Sequence, residues 1–566
     1  MNKKLLFNNK KKVSNDNLVA EYVVDTGYEY TPFLYEADDT MPDGYNGTKI
    51  TPDEVIQTDN GDGTTTITIK DDRKIGKINF GLIGQLPNSI HLLRINSIKS
   101  DDLVNVASIC FGCTNLTYIN SKGLVTSKVR DIASAFYRCL VLPSIDTTNW
   151  DTSNVTAMGS AFANCNALTS IDVSNWNVNK NKKFDSMFQN CSALTSVDMT
   201  NWNINTIDDV NMTSMFNSCS ALTSIGDLTN WDVSNCISMA SMFNGCKALT
   251  SIGNLSNWDV SSNANFNYMF SGCTALTELN VSNWRFNTTN NITMEYMFSN
   301  CNLVPALDVS QWNVEKVTSL FHTFDGCSTI TSLDITNWNT ESLTKVAGGF
   351  SNCTNLTEIK GIGGLNVSNV TELASVFQND SSLLELKLNN WNVEKVTNMS
   401  YLFGSCKALT SLEIDQWNTV ALTNMVNTFL SCNALPSLSL TNWKTDLVTS
   451  MNGTFSGCNS LATLDLSMFN TPVCTAMNSM FSNCTSLTTL NFSNANTSLV
   501  TNMGSMFWNN TSLTSLDIRN FDSTSLTSFT YMFNGIPSTA VITIDPTKFT
   551  KTESECNFNG GTFTTI

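Results

Sequence analysis

The chain has 566 residues, 41% of them apolar, and a formal net charge of −17. That balance argues against sequence-independent nucleic-acid binding through a basic face and suits a long, hydrated surface. No apolar run approaches the roughly 18 residues of a membrane span, so no membrane insertion is predicted.

The one basic cluster opens the chain, with Lys3, Lys4, Lys10, Lys11 and Lys12 and no acid among the first twelve residues. Between these lysines lies only Leu5-Leu6-Phe7, too short for a secretory apolar core. The expectation is a cytosolic protein, or one delivered by another route, for example within a virion. The lysines read as a solvated tail or as a plug into an acidic neighbour. Tyr22, Tyr28, Tyr30, Tyr35 and Tyr45 cluster with Phe33, either as a small core or as a contact surface for docking. Thr64 to Ile69 alternates polar and β-branched apolar residues and predicts a strand. Asp59 to Gly63 before it is turn chemistry, with the wrong acidic spacing for a calcium loop. Residues 1–75 are thus expected to form a β-rich docking or cap segment. Residues 76–120 follow as degenerate terminal repeats, with strand-like pieces at 78–80, 92–95 and 116–119.

From 121 to 535 one phrase recurs. Its Phe falls at 136, 162, 188, 216, 243, 270, 298, 324, 350, 377, 403, 429, 455, 481, 507 and 533, at steps of 26 to 28 residues. Such a period means stacked units that bury their apolar faces only against one another. Leu409-x-x-Leu412-x-Ile414-x-x-Trp417 carries the leucine-rich-repeat strand signature. Leu422, Met425, Phe429 and Cys432 then step by three and four, which predicts a short helix or 3-10 turn capped by Thr423 and Asn424. The expected fold is a leucine-rich-repeat solenoid, with a parallel β-sheet on one face and short helices or 3-10 turns on the other. Gly226 and Gly253 each add a residue inside a strand and predict bulges. Residues 359–365, with three Gly and Leu365 in the Trp slot, predict a kink or hinge. The Trp slot weakens to Phe469, Ala495 and Phe521, and residues 536–566 are expected to cap the stack with strands.

Fourteen of the 18 Cys share one repeat position, from Cys113 to Cys484. A ladder at one position reads as reduced, buried packing thiols, not as a disulfide framework with irregular spacings. Cys110-Phe-Gly-Cys113 stands alone, without a second pair at zinc spacing. No metal or other cofactor is expected.

The phrase Met-Phe-x-x-Cys-x-x-Leu-Thr-x-Leu-x-x-x-x-Trp-Asn, as at Met187 to Asn203, resembles the BspA-type leucine-rich repeat. It is most similar to the 26-residue bacterial surface-protein variant found in mycoplasmas, Bacteroidetes and Firmicutes. The likeness covers roughly residues 103–535. It implies a surface adhesin or interaction protein, and related repeats occur in phage tail and fibre proteins. The sequence lacks the signal peptide, lipobox and C-terminal anchor of the cellular members, which favours the virion reading.

The natural binding surface is the outward column Asp146, Asp172, Asp198, Asp227, Asp308, Asp334, Glu413, Asp465 and Asp517. Stacked carboxylates repel, so the column is either well hydrated or answered by cations or a partner. A second column, including Asn175, Asn337, Gln416 and Asn442, reads as a structural amide ladder. The Trp slot reads as core before it reads as a sugar-stacking stripe. Catalysis finds no support. His91 and His322 are isolated, and no phosphate loop, nucleophile elbow or zinc-protease motif occurs. The expected function is a non-enzymatic scaffold displayed on a virion, as a phage tail, fibre or capsid-associated component. Its N-terminal segment would dock to other virion or surface-assembly proteins, and its repeat face would bind a host-surface glycan or protein. The alternative is a bacterial cell-surface adhesin.

Overall fold

The computed structural model describes residues 18–25, 32–37, 45–71, 73, 75–80, 91–98, 101–122, 124–204, 208–229, 231–286 and 289–565. Lys3, Lys4, Lys10, Lys11, Lys12, Tyr28 and Tyr30 lie outside them. The chain divides into two compact units, residues 1–285 and 286–566. The repeats form a parallel β-solenoid of about 17 coils.

The first unit opens with a β-rich module. β1 (Leu18–Asp25) pairs antiparallel with β5 (Thr64–Lys70) and with β7 (Leu92–Ile98), and β4 (Glu54–Asp59) pairs with β5. β2 (Phe33–Ala37) lies between β3 (Tyr45–Ile50) and β6 (Ile75–Asn79) in a second sheet. Alternation along β5 buries Ile67 and Ile69 as the period of two requires. Tyr22 is fully buried, edge-on to Phe80 at 5.2 Å between ring centroids. It therefore fills the core of the module and cannot serve as a docking contact. Tyr35 is half-buried. The module hands over directly to the coils. β7 pairs in parallel with β8 (Tyr118–Ile119), Lys77 bridges to Asn105, and the Phe80 N–H donates to the Ile109 carbonyl at 2.5 Å. β6 and β7 thus pair antiparallel within the module and in parallel with the first coil, in the region where the sequence suggests degenerate repeats.

Within each unit, coils bind their neighbours along two lines. One is the predicted strand line. In the second unit Ser332–Asp334 pairs in parallel with Glu358–Lys360, and Glu385–Lys387 with Ser411–Glu413. Thr463–Asp465, Thr489–Asn491, Ser515–Asp517, Val541–Ile544 and Phe563–Thr565 form one five-stranded sheet. In the first unit the same line is marked by bridges from Ser144 through Ser170 and Ser196 to Ser224. The other line passes through Asn398, Asn424, Ser450, Ala476 and Asn502. Threonines reinforce it, since the Thr423, Thr449 and Thr475 hydroxyls each donate to the threonine carbonyl one coil earlier at 2.9–3.3 Å.

The expected helices are absent from the described repeats, whose one helical element is a 3-10 turn at Ile362–Gly364. Residues 425–432 form successive tight turns instead. Thr428, Leu430 and Cys432 donate to carbonyls three residues back, while Met425, Asn427, Phe429 and Ser431 donate to the following coil. Asn427 and Ser431 have φ of 56°, in the left-handed region. The spacing of three and four is real, but left-handed residues within it break the helix. Asn424 does accept from the Val426 N–H at 3.0 Å, as a cap would, and the turn it starts is an Asx turn.

The interior is a set of columns. In the first unit the Phe column from Phe136 to Phe270 and the Trp column from Trp150 to Trp284 stack at 5.4–6.5 Å. In the second, Phe298 to Phe533 stack at 5.4–6.0 Å, as do Trp391, Trp417 and Trp443 at 5.8–6.2 Å. Each offset pair adds about 0.5–1.5 kcal/mol beyond its burial. Indole N–H groups also donate along the stack, as from Trp417 to the Leu388 carbonyl at 2.8 Å. The Trp slot is therefore core, and no stripe of indoles faces solvent.

All 18 cysteines are buried, and none is in a disulfide. Most thiols of the ladder donate to the Phe carbonyl of the preceding coil, as from Cys406 to Phe377 at 3.0 Å and from Cys191 to Phe162 at 3.1 Å. Burial pushes the Cys219, Cys273, Cys327 and Cys484 thiols up to about 12. Asp380 takes this slot in one coil. It is fully buried, and one of its oxygens accepts the Cys353 N–H at 2.9 Å. Gly226 is needed for conformation, because at its φ of +81° a Cβ would also lie 2.6 Å from the Thr200 hydroxyl. Gly361, also at +81°, sits against the Thr336 backbone and makes room for the irregular 361–364 turn.

Candidate interaction face

The outward acidic column is where the sequence places it. Asp146, Asp172, Asp198, Asp227, Asp308, Asp334, Glu413, Asp465 and Asp517 are all exposed, and Asp334, Glu413, Asp465 and Asp517 each close a strand. What holds the aspartates is local. Asp146, Asp172, Asp198, Asp227, Asp308, Asp334, Asp465 and Asp517 each accept the backbone N–H two residues on, at 2.9–3.2 Å. These are Asx turns that carry the chain off the strand. Hydroxyls add to them, as from Thr229 to Asp227 at 2.5 Å and Ser310 to Asp308 at 2.8 Å. Hydrogen bonds from Thr148, Thr229 and Thr336 hold the Asp146, Asp227 and Asp334 carboxyls below the usual range, and the Arg519 guanidinium does so for Asp517. The turns explain how a column of like charges persists. Asn254, Asn280 and Asn491 make the same turn without a charge.

Between 334 and 413 the sheet face changes character. Asp334 lies beside Lys360 and Lys387 beside Glu413 in the parallel register, and Lys387 is also paired with Glu385. Two lysines, Lys360 and Lys387, interrupt the acidic column and each faces a carboxylate across one coil boundary, and Glu413 makes no Asx turn. The expected amide ladder is elsewhere. Asn337 and Asn442 donate to backbone carbonyls of the preceding coil, at 3.3 and 2.8 Å. Amide-to-amide bonds run instead through the left-handed corner after each Phe, from Asn190 to Asn164, Asn379 to Asn352 and Asn509 to Asn483, at 2.8–2.9 Å. Asn and Gly recur there because that corner needs positive φ.

Each histidine lies beside one carboxylate. His91 Nδ1 lies 3.0 Å from Asp25, and His322 Nδ1 lies 3.3 Å from Asp325. A recess in the second unit is absent from the sequence-derived candidates. It is lined by Glu295, Phe321, Lys345, Ala347 and Glu372, with a volume of about 330 Å³. Its signal is a departure from the column. The slot that holds Phe321 holds Ala347, Ala374 and Ser400 in the next coils, and the slot that holds Lys345 and Glu372 holds Asn398 and Asn424.

Parallel coils, buried aromatic columns and an exposed polar sheet face define a leucine-rich-repeat scaffold. The chain belongs to the family described as Mycoplasma protein of unknown function, DUF285, whose repeats match residues 105–224, 210–331, 285–360, 350–460 and 423–543. No curated protein sequence matches it. Among solved structures it is similar to a leucine-rich repeat protein from Eubacterium ventriosum, at 16% identity over 68% of this chain and 90% of that one, with a TM-score of 0.28. The functional domain of InlJ from Listeria monocytogenes, which includes a cysteine ladder, matches at 13% identity over 84% of this chain and 71% of that one, with a TM-score of 0.19. TLR13 in its complex with ssRNA13 matches at 17% identity over 80% and 69%, with a TM-score of 0.23.

Proposed function

We propose that this protein is a non-enzymatic interaction scaffold displayed on a surface, where the repeat face contacts a host-surface glycan or protein. The observation that carries the reading is the contrast between columns. Inside, Phe, Trp and Cys repeat with little change. Outside, the strand-end position runs through Asp, Asn, Lys, Glu and Ser on a backbone of constant register. A rigid array with a variable outward face suits recognition.

The first form of the proposal is a virion component, docked to other assembly proteins through residues 1–100, with the lysines of the first twelve residues as its plug. The second is a bacterial cell-surface adhesin, favoured by membership in a family described from Mycoplasma. Deletion of residues 1–100 tests the docking. Incorporation into particles, or retention on cells, is expected to fall while the remaining coils stay folded by circular dichroism. Unchanged incorporation of a folded, truncated protein would overturn it.

A further inference from the structure

We propose that the recess beside Phe321 is a binding site for one neutral pyranose ring of a glycan. The inference rests on the scaffold reading above and names the ligand class for one place on the array. The Phe321 ring is half-buried and forms a wall. Tyr296 and His322 pack edge-on to it at 5.4 and 4.5 Å between centroids, and they stack on each other at 4.9 Å. That packing holds the wall in place before a ligand arrives, which lowers the ordering cost of binding. Ala347, one coil on, keeps the floor low.

The polar rim carries both signs. Lys345 Nζ reaches back across the intervening coil to Glu295 Oε1 at 3.2 Å, and the Ser319 hydroxyl donates to the same oxygen at 2.9 Å. Glu372 is exposed on the other side. A cationic ligand would meet Lys345, and an anionic one would meet two carboxylates. A polyol meets neither objection. Its hydroxyls donate to Glu295 and Glu372 and accept from Lys345. The C–H face of the ring covers Phe321, and the cavity of about 330 Å³ is of small-ligand size.

The test uses the full chain and free glucose, galactose, mannose and N-acetylglucosamine, read by saturation-transfer NMR and titration. Phe321→Ala and Glu372→Asn serve as variants. Each installs a residue that other coils hold in the same slot, such as Ala374 and Asn398, so the fold is kept. At least one sugar is expected to show transfer to its ring C–H protons, with affinity at least tenfold weaker in each variant. No transfer from any of the four sugars, or binding unchanged in both variants, would overturn the proposal. So would an arginine-rich peptide that binds at Phe321 where no sugar does. Surface attachment that persists in Phe321→Ala, with no sugar bound, sinks this site and leaves the scaffold reading standing. Sugar binding at Phe321 by a protein never found at a surface does the reverse.

Discussion

Trp417→Phe and Trp176→Phe remove the same atoms from the same repeat slot, yet they are expected to differ. Both indoles are buried between neighbours, Trp417 between Trp391 and Trp443 and Trp176 between Trp150 and Trp202. Phe469 and Phe521 already fill this slot, so a phenyl ring is tolerated. Trp417 Nε1–H donates to the Leu388 carbonyl at 2.8 Å, whereas Trp176 Nε1 is buried without a hydrogen-bond partner. The Leu388 carbonyl keeps the Trp391 N–H at 2.9 Å after the swap. Trp417→Phe therefore loses one neutral hydrogen bond, about 0.5–1.5 kcal/mol. Trp176→Phe removes an unpaired buried donor whose desolvation costs about 1–3 kcal/mol. The loss of ring volume is common to both and cancels. About 1 kcal/mol from each side gives a difference of about 2 kcal/mol, or roughly 30-fold in an opening equilibrium. A solenoid opens locally, so the assay is native-state hydrogen exchange of amides in the substituted coil, each variant against wild type. Equal losses of protection, or a larger loss in Trp176→Phe, would refute the role given to the indole N–H.

Three further outcomes follow from the same columns. Maleimide at pH 8 is expected to leave the cysteines unlabelled in the native protein and to label them after unfolding in guanidinium, because burial suppresses thiolate. Rapid native labelling of Cys219 or Cys273 would contradict their packing. Asp380, raised well above the carboxylate range first by desolvation, binds a proton in the folded state that the unfolded chain has already released above about pH 4. Its coil should lose stability as pH rises from there towards the folded value, and Asp380→Cys should abolish that slope and strengthen the coil at pH 7 in hydrogen exchange. Asp227 is lowered chiefly by the Thr229 hydroxyl, so its contribution is present above about pH 4 and lost as acid protonates it. Asp227→Asn should keep the protection of the Thr229 amide and remove its acid sensitivity, while Asp227→Ala should lose the protection at every pH.

Much of the fold can be read from the chain because the columns are interior and chemically strict. Phe403, Cys406, Leu409 and Trp417 recur with their neighbours because each stacks on its own kind. The helix expectation fails at particular residues. Leu422, Met425, Phe429 and Cys432 have helical spacing, but consecutive turns also place every third or fourth side chain inward. Asn427 and Ser431 at positive φ decide between the two. The sign was in the sequence, since Gly, Asn and Ser alternate in those corner slots, as at Gly453 and Gly457. The tyrosine cluster around Tyr22 reads either as a small core or as a docking surface, and the sequence alone does not choose between them. The burial of Tyr22 depends on Phe80 arriving from another strand, a contact that local pattern cannot supply. The recess at Phe321 is legible only when coils are aligned column by column and the exceptions are read.

The most direct test of the scaffold account is where the native protein sits. Intact source cells and purified particles would be labelled with a membrane-impermeant biotin ester, and the protein captured and quantified in each fraction. The account predicts labelled protein on particles at fixed stoichiometry or on the outer face of cells. Protein found only in the unlabelled interior fraction, as a free species, would contradict it.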